Sequence, residues 1–221
     1  MAFAASPGPL PGSVTSYLLG PKLIRGEIVI KGKDRSLRDM RLDRGKLIKR
    51  YSAGSLTLLE RDATKVVIKV VPTARVFLNA RPSGFRFLRL GMQVAVAHEV
   101  TPAGDLPADT VYATGPRQQP KWAPPAVAQL FGNKFVKAEL FVMDTAQHDY
   151  RLDRGKVRQV GAFQLVLREA DGTDVTVDIS SNAHIKLNNQ NGTFLQLRKG
   201  MMATTMRDGD KPADQVYATG K

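Results

Sequence analysis

Histidines are the side chains of this sequence best suited to acid–base or metal chemistry. The chain has three, His98, His148 and His184, and none has a second ligand at metal-binding spacing. We therefore predict that they are polar, solvent-exposed residues. The chain has no cysteine, which excludes disulfides, thiolate metal sites and thiol nucleophiles. On this basis we predict no metal site and no cofactor.

The sequence also lacks the common catalytic motifs. Segment 26–33 contains a Gly-Lys pair, but Asp34 follows it where a phosphate loop needs Ser or Thr to bind magnesium. No G-x-S-x-G, H-E-x-x-H or dinucleotide-binding fingerprint occurs. We predict that the protein is not an enzyme.

Basic residues dominate the charge. The 221 residues include 33 lysines and arginines against 20 aspartates and glutamates, a formal net charge of +13. Such a surface attracts polyanions, which include nucleic acids, anionic lipids and acidic glycans. No apolar run approaches the roughly 18 residues of a membrane-spanning helix.

An internal repeat organises the elements that must position these charges. Residues 41–46 and 151–156 are identical (RLDRGK), and eight of nine residues match between 107–115 and 212–220. We therefore divide the chain into a leader (1–16), a first copy (17–115), a Pro-rich linker that carries Trp122 (116–128) and a second copy (129–221). A Trp between prolines is expected to pack between the two copies and fix their relation.

Each copy has the pattern of short strands. Apolar and β-branched runs cover 23–30, 55–60 and 65–71, and the second copy repeats them. Turn signals follow every 8–12 residues, among them Asp171-Gly172, since glycine accepts positive φ without cost. The sequence predicts an all-β protein with a small antiparallel barrel or sandwich in each copy. It predicts no helix beyond one turn near 126–129.

The repeated RLDRGK motif is open to two interpretations. Its basic groups around a glycine are suited to binding a phosphate or carboxylate. Alternatively, its alternating charges pair across the sheet where the strand enters a glycine bulge. Retention in both copies favours the structural role, since copies share a fold before they share ligands. The residues concerned are Arg41, Asp43, Arg44 and Gly45, with Arg151, Asp153, Arg154 and Gly155.

The charge is distributed unequally between the copies. The first copy has 18 basic and 9 acidic residues, a net +9, whereas residues 129–221 have 13 and 11, a net +2. Lys65 and Lys69 share one strand face by their spacing, and the second copy has Asp174 and Asp178 in their places. The sequence therefore predicts a positive face on the first copy and a complementary acidic face on the second.

Two hypotheses follow from this asymmetry. In one, the first copy binds a polyanion such as a nucleic acid or an acidic glycan. Exposed aromatic rings near the basic residues would add stacking. In the other, the positive face of one molecule meets the acidic face of the next, so that the protein self-assembles. The predicted interface comprises Lys65, Lys69, Arg75, Arg81, Arg86 and Arg89, with Phe77 and Phe87 as the exposed aromatics.

Each copy also resembles a known bacterial family, the DUF5666 domain. The resemblance covers about 75 residues of each copy and depends on glycines and apolar alternation, for example 45–47, 55–58, 88–92 and 107–113. It implies an OB-like β-barrel and favours export, but no chemistry. The fold class that we predict is accordingly all-β, with two tandem antiparallel OB-like barrels joined by the Pro-rich linker.

The N-terminus is consistent with export but does not require it. Segment 1–9 lacks the basic start and apolar core of a signal peptide, although Ala2-Phe3-Ala4 has the form found before a signal-peptidase cut. We predict a non-catalytic structural or adhesive protein, secreted or in the cell envelope, that contacts itself, an envelope protein or a polyanion. The alternative is a cytoplasmic, nucleic-acid-binding, tandem OB-like protein.

Overall fold

The structure is a computed structural model that describes residues 10–32, 34–52, 54–115, 132 and 134–220. The predicted linker and its Trp122 lie outside the described residues, as does the turn expected near 126–129. The described residues form an all-β protein with one short helix, as the sequence predicted in its coarse outline. Among them, no helix is long and apolar enough to cross a membrane.

The elements follow the repeat. In the first copy they are α1 (Gly12–Leu18), β1 (Leu23–Lys31), β2 (Leu37–Tyr51), β3 (Ser55–Glu60), β4 (Lys65–Leu78), β5 (Arg81–Ser83), β6 (Gln93–Thr101), β7 (Gly104–Asp105) and β8 (Ala108–Thr114). In the second they are β9 (Phe135–Met143), β10 (Gln147–Val160), β11 (Gln164–Glu169), β12 (Asp174–Leu187), β13 (Gln190–Gly192), β14 (Met202–Asp208) and β15 (Ala213–Thr219). A 3₁₀ turn follows β5 at Phe85–Phe87, and another follows β13 at Phe194–Gln196.

Strand pairing closes a ring in each copy. In the first, β2 pairs with β3, β3 with β4, β4 with β8, β8 with β6, and β6 again with β2. All of these pairs are antiparallel except β4 with β8. The second copy repeats the ring with β10, β11, β12, β15 and β14. Each ring encloses an apolar cluster, built around side chains such as Leu47 and Leu56 in one and Val157 and Leu165 in the other.

The first strands of the two copies join the rings. β1 pairs antiparallel with β9, and Glu27 lies directly opposite Glu139, its counterpart in the repeat. The pairing is therefore symmetric about that point. Ile28 faces Ala138, and Gly26 faces Leu140. A Cβ on Gly26 would lie 2.3 Å from Leu140 Cδ2, so the glycine allows Leu140 to pack closely there.

Residues from both copies share a third apolar cluster, and α1 packs against it. Leu18 and Leu19 are almost fully buried there, together with side chains from β1, β9 and β10 such as Ile28 and Leu140. This differs from the flexible leader expected over 1–16, because residues 12–16 belong to α1 and Leu10 is buried. The helix was missed because its seven residues show barely two turns of apolar spacing.

Candidate polyanion-binding face

Four lysines of the first copy lie on the outer surface of β2, β3 and β4, which we call the basic face. The register places Lys46 and Lys65 on either side of Leu59, and Tyr51 and Lys69 on either side of Ser55. Between these two rows, Lys49 and Val67 flank Thr57. Since strands lie about 4.8 Å apart and rise about 3.3 Å per residue, the face measures about 10 by 13 Å.

Alternation along β4 places this surface outside the ring. Ile68 and Val70 are buried in the enclosed cluster, whereas Lys65, Val67 and Lys69 are exposed. The outward position predicted for Lys65 and Lys69 is confirmed. Val67, between them, is 65% exposed, which leaves an apolar side chain in water among positive charges.

The four lysines of the basic face have no acidic partner among the described residues. Within the part of the chain that the structure describes, no carboxylate oxygen lies within 4.0 Å of the side-chain nitrogen of Lys46, Lys49, Lys65 or Lys69. Arg25, in contrast, is paired with Glu60 at 2.7 Å. An uncompensated cluster of this kind attracts a polyanion.

Tyr51 provides the aromatic ring of the basic face. It is 38% exposed, and Lys49 Nζ lies 4.6 Å from its ring centroid, within the range of a cation–π contact. Hydrogen bonding to Lys49, with the charge of that ammonium, lowers the pKa of the Tyr51 phenol. Lys49 therefore lies over the ring of a side chain that remains partly exposed to solvent.

The predicted arginines lie elsewhere on the first copy. Arg81, Arg86 and Arg89 are exposed around the 3₁₀ turn, where Arg86 lies over the ring of Phe87 at 4.9 Å. Arg89 donates to the Arg86 carbonyl at 2.6 Å, and its counterpart Arg198 bonds the carbonyls of the equivalent turn. Arg89 therefore holds the turn in place, and the structure does not bring these arginines into the basic face.

The remaining predicted residues of the interface are also engaged within the protein. Arg75 donates to Thr110 Oγ1 at 3.1 Å. Phe77 was expected to be exposed, but its ring is half-buried and stacks on Tyr112 with centroids 5.1 Å apart. Phe87 is 45% exposed, as expected.

The second copy lacks the basic face. The counterparts of Lys49, Tyr51, Lys65 and Lys69 are Gln159, Gly161, Asp174 and Asp178. Asp174 is bound by Arg168, with Nη2 and Oδ2 2.6 Å apart, and Asp178 accepts a hydrogen bond from Gln164 at 2.9 Å. Of the two predicted acidic residues, Asp174 is thus paired with a cation of its own copy, whereas Asp178 is hydrogen-bonded to a neutral amide.

The repeated RLDRGK motif performs packing roles. Arg44 is buried and donates to the Gly20 carbonyl at 2.9 Å, while Arg41 lies 3.3 Å from buried Asp43. A Cβ on Gly45 would lie 2.6 Å from the Leu59 carbonyl oxygen. In the second copy, Arg151 and Asp149 pair at 3.2 Å, and Arg154 donates to the Phe135 carbonyl at 3.1 Å. Asp153 is buried like Asp43, and it pairs with Arg207 at 3.4 Å. Gly155 is confined like Gly45, because a Cβ there would lie 2.5 Å from the Arg168 carbonyl oxygen.

Charged side chains also extend into each ring, which the sequence analysis missed. Asp43, Glu60 and His98 are almost fully buried on the strand faces that carry the apolar cluster. The prediction that His98 is exposed is wrong, because it follows Val94 and Val96 at period two and so points inward. His98 lies between Asp43 and Asp105, at 3.7 and 3.4 Å. Burial raises the pKa of Asp43 and of Glu60.

The second copy has an equivalent buried group. Asp153 and Glu169 replace Asp43 and Glu60, and Lys137 takes the place of Arg25. Lys137 Nζ lies 3.5 Å from Glu169 Oε2, and burial still raises the pKa of Glu169 to about 7. Desolvation outweighs the attraction to Lys137, whose own side chain is 43% exposed.

The members of the basic face that sequence reasoning missed are Lys46, Lys49 and Tyr51. Lys49 and Tyr51 follow a bulge in β2, where the register shifts between Leu47 and Lys49.

Comparison with known proteins adds no further assignment: no family model matches the chain, and no curated protein does.

Proposed function

We propose that this protein is non-catalytic and binds polyanions through the basic face of its first copy. The observation that carries the proposal is the set of four lysines that surround exposed Tyr51 and Val67 and have no carboxylate partner among the described residues. The counterpart surface of the second copy retains one of these lysines, Lys156, and carries two aspartates. The charge is therefore a property of this surface and not a requirement of the shared fold.

We further propose that each ring is an OB-like barrel. The ring order in the first copy, β2-β3-β4-β8-β6 with a parallel β4–β8 pair, supports this assignment. OB folds bind ligands on the face of their second and third strands and on the adjoining loops. Those strands are β3 and β4 here, and the basic face covers them together with the adjoining β2, which carries Lys46, Lys49 and Tyr51. The resemblance to the DUF5666 domain and the envelope location remain predictions.

Head-to-tail self-assembly receives less support. The predicted acidic partner face has its aspartates bound by Arg168 and Gln164. Exposed sheet edges are also scarce, since each described strand of six or more residues pairs on both sides. β1 and β9, which lie outside the rings, pair with each other.

A protein contact through the second copy is a second candidate function. Phe163 is 52% exposed and stacks on Phe194 at 5.6 Å, and neighbouring Leu195 is 81% exposed. The first copy has Gly54 and Arg86 at these places. Phe163 has φ +55°, a conformation that is costly for a bulky residue and that Gly54 adopts in the first copy. An exposed apolar patch of this kind favours an adhesive or structural contact.

The polyanion proposal is tested by titrating labelled heparin, inorganic polyphosphate and oligonucleotides with the protein. We expect at least one of them to bind with an affinity that falls linearly on a log–log salt plot. The double variant Lys65→Gln/Lys69→Gln should lose most of this affinity. The matched control, Lys156→Gln/Lys199→Gln, makes the same charge change on exposed lysines of the second copy and should retain it. Equal losses in both variants would show that only net charge matters and would refute the proposed face.

A further inference from the structure

The basic face combines positive charge with exposed apolar and aromatic surface, and this combination restricts the ligand. Tyr51 and Val67 lie among lysines that have no carboxylate partner in the described residues. A polymer that carries only charge leaves these side chains in water. A polymer that alternates anionic groups with flat rings covers both kinds of surface.

A groove continues the basic face beyond β4. It has a volume of about 400 Å³ and lies between β4 and the β6–β7 hairpin, with Val67, Lys69 and Leu106 along its walls. Leu106 is 45% exposed. His98 and Asp105, paired at 3.4 Å, form the polar part of the lining, and Asp105 is the one carboxylate there. Rings bound at Tyr51 would therefore meet a second surface next to Lys69, on which the apolar side chains of Val67 and Leu106 lie beside the polar His98–Asp105 pair.

We propose that the polyanion is a single-stranded nucleic acid, with its phosphates on the four lysines and its bases on Tyr51 and in the adjoining groove. This inference rests on the polyanion function proposed above and specifies its ligand. Inorganic polyphosphate has no ring to place on Tyr51. A nucleic-acid duplex presents phosphates but keeps its bases stacked inside, away from a flat sheet surface. A single strand offers both groups at once, and base–aromatic stacking does not depend on sequence.

The experiment compares four probes by fluorescence anisotropy at several salt concentrations. They are an oligothymidylate of about 15 nucleotides, which suits the site size of one OB fold, a duplex of the same length, heparin and inorganic polyphosphate. The variants are Tyr51→Ala, Tyr51→Phe and Lys65→Gln/Lys69→Gln. Because Tyr51 is partly exposed, we expect Tyr51→Ala to fold, which a thermal melt verifies.

The two kinds of variant should have different signatures. Tyr51→Ala should weaken oligothymidylate binding about tenfold or more, leave its salt slope unchanged and leave heparin binding unchanged, whereas Tyr51→Phe should retain binding. Lys65→Gln/Lys69→Gln should weaken every probe and reduce the salt slope for the single strand by about 1.4, since each phosphate contact adds about 0.7.

The possible failures are distinguishable. If heparin or polyphosphate binds through the lysines but the single strand binds no better than the duplex, or Tyr51→Ala has no effect, the single-strand assignment is wrong and the polyanion function stands. If none of the four probes binds at low salt, both proposals are wrong.

Discussion

Glu169 allows the buried charges to be tested quantitatively. Its side chain is fully buried at the end of β11, and Oε1 has no hydrogen-bond partner within the described structure. Burial raises its pKa from the usual 4.5 to about 7. Between pH 4.5 and pH 7, Glu169 therefore keeps its proton in the folded state but has released it in the unfolded state.

The direction of the pH dependence follows from this difference. The stability linked to Glu169 is fully present below pH 4.5 and is lost as the pH rises through about 7. A difference of 2.5 between pKa 4.5 and 7 corresponds to about 3 kcal/mol of unfolding free energy. Glu169→Gln removes the titration, so the variant should match the wild type near pH 4.5 and exceed its stability by up to about 3 kcal/mol at pH 8.

Urea unfolding followed by circular dichroism at several pH values and constant ionic strength measures this effect. Asp174→Asn is a suitable control, because that carboxyl is exposed and its hydrogen bond to Arg168 lowers its pKa. Its removal should therefore leave the slope of unfolding free energy against pH unchanged above pH 5. If Glu169→Gln shows the same decline in stability between about pH 5 and 8 as the wild type, Lys137 keeps Glu169 ionised in the fold, and the argument from burial fails.

Three further substitutions test the packing. Gly155→Ala should destabilise the protein by about 1–3 kcal/mol in chemical unfolding, because its Cβ would lie 2.5 Å from the Arg168 carbonyl oxygen. Gly12→Ala is the control and should not destabilise the protein, because no atom lies within 4 Å of the added Cβ. Arg25→Met leaves buried Glu60 without its cation and should cost about 3 kcal/mol near pH 8 and less near pH 5. Adding Glu60→Gln should restore most of the loss, and failure of this rescue would show that Arg25 acts through packing alone. Leu18→Ala should lower the free energy of unfolding by about 2–5 kcal/mol, because α1 packs in the shared cluster. Ser13→Ala, at an exposed position of the same helix, should change it by almost nothing. Equal thermal melts of the two variants would mean that α1 does not contribute to the core.

Alternation predicted the outward side chains of β4 correctly. On β4 it placed Lys65 and Lys69 outside, and the structure confirms both. The same rule places His98 inside after Val94 and Val96, whereas its residue type alone predicted exposure. In β2 the rule itself fails. Counting by two from Leu47, which points inward, predicts that Lys49 also points inward. The bulge instead places Lys49 opposite Thr57, which points outward. A bulge is a backbone feature with no distinct signature in these residue types.

Other features depend on contacts between the copies that no local pattern encodes. The repeat gave two equivalent units, but the symmetric pairing of β1 with β9 is a choice of partner between distant segments. The burial of Glu60 and Glu169 likewise depends on Arg25 and Lys137, which the two first strands supply. The sequence shows these residues as matched pairs in the repeat, and only the fold shows which residue meets which.

The comparison of the two copies separates what the fold needs from what the surface does. Both keep the glycine under the neighbouring strand, at Gly45 and Gly155, and both keep a buried Glu with a cation from the first strand. Their outer faces differ in sign at Lys65 and Asp174, although the strands and registers there are the same. Since the ring folds with either charge, folding does not explain the lysines of the first copy. We propose that a ligand does, and the binding experiments are therefore centred on that face.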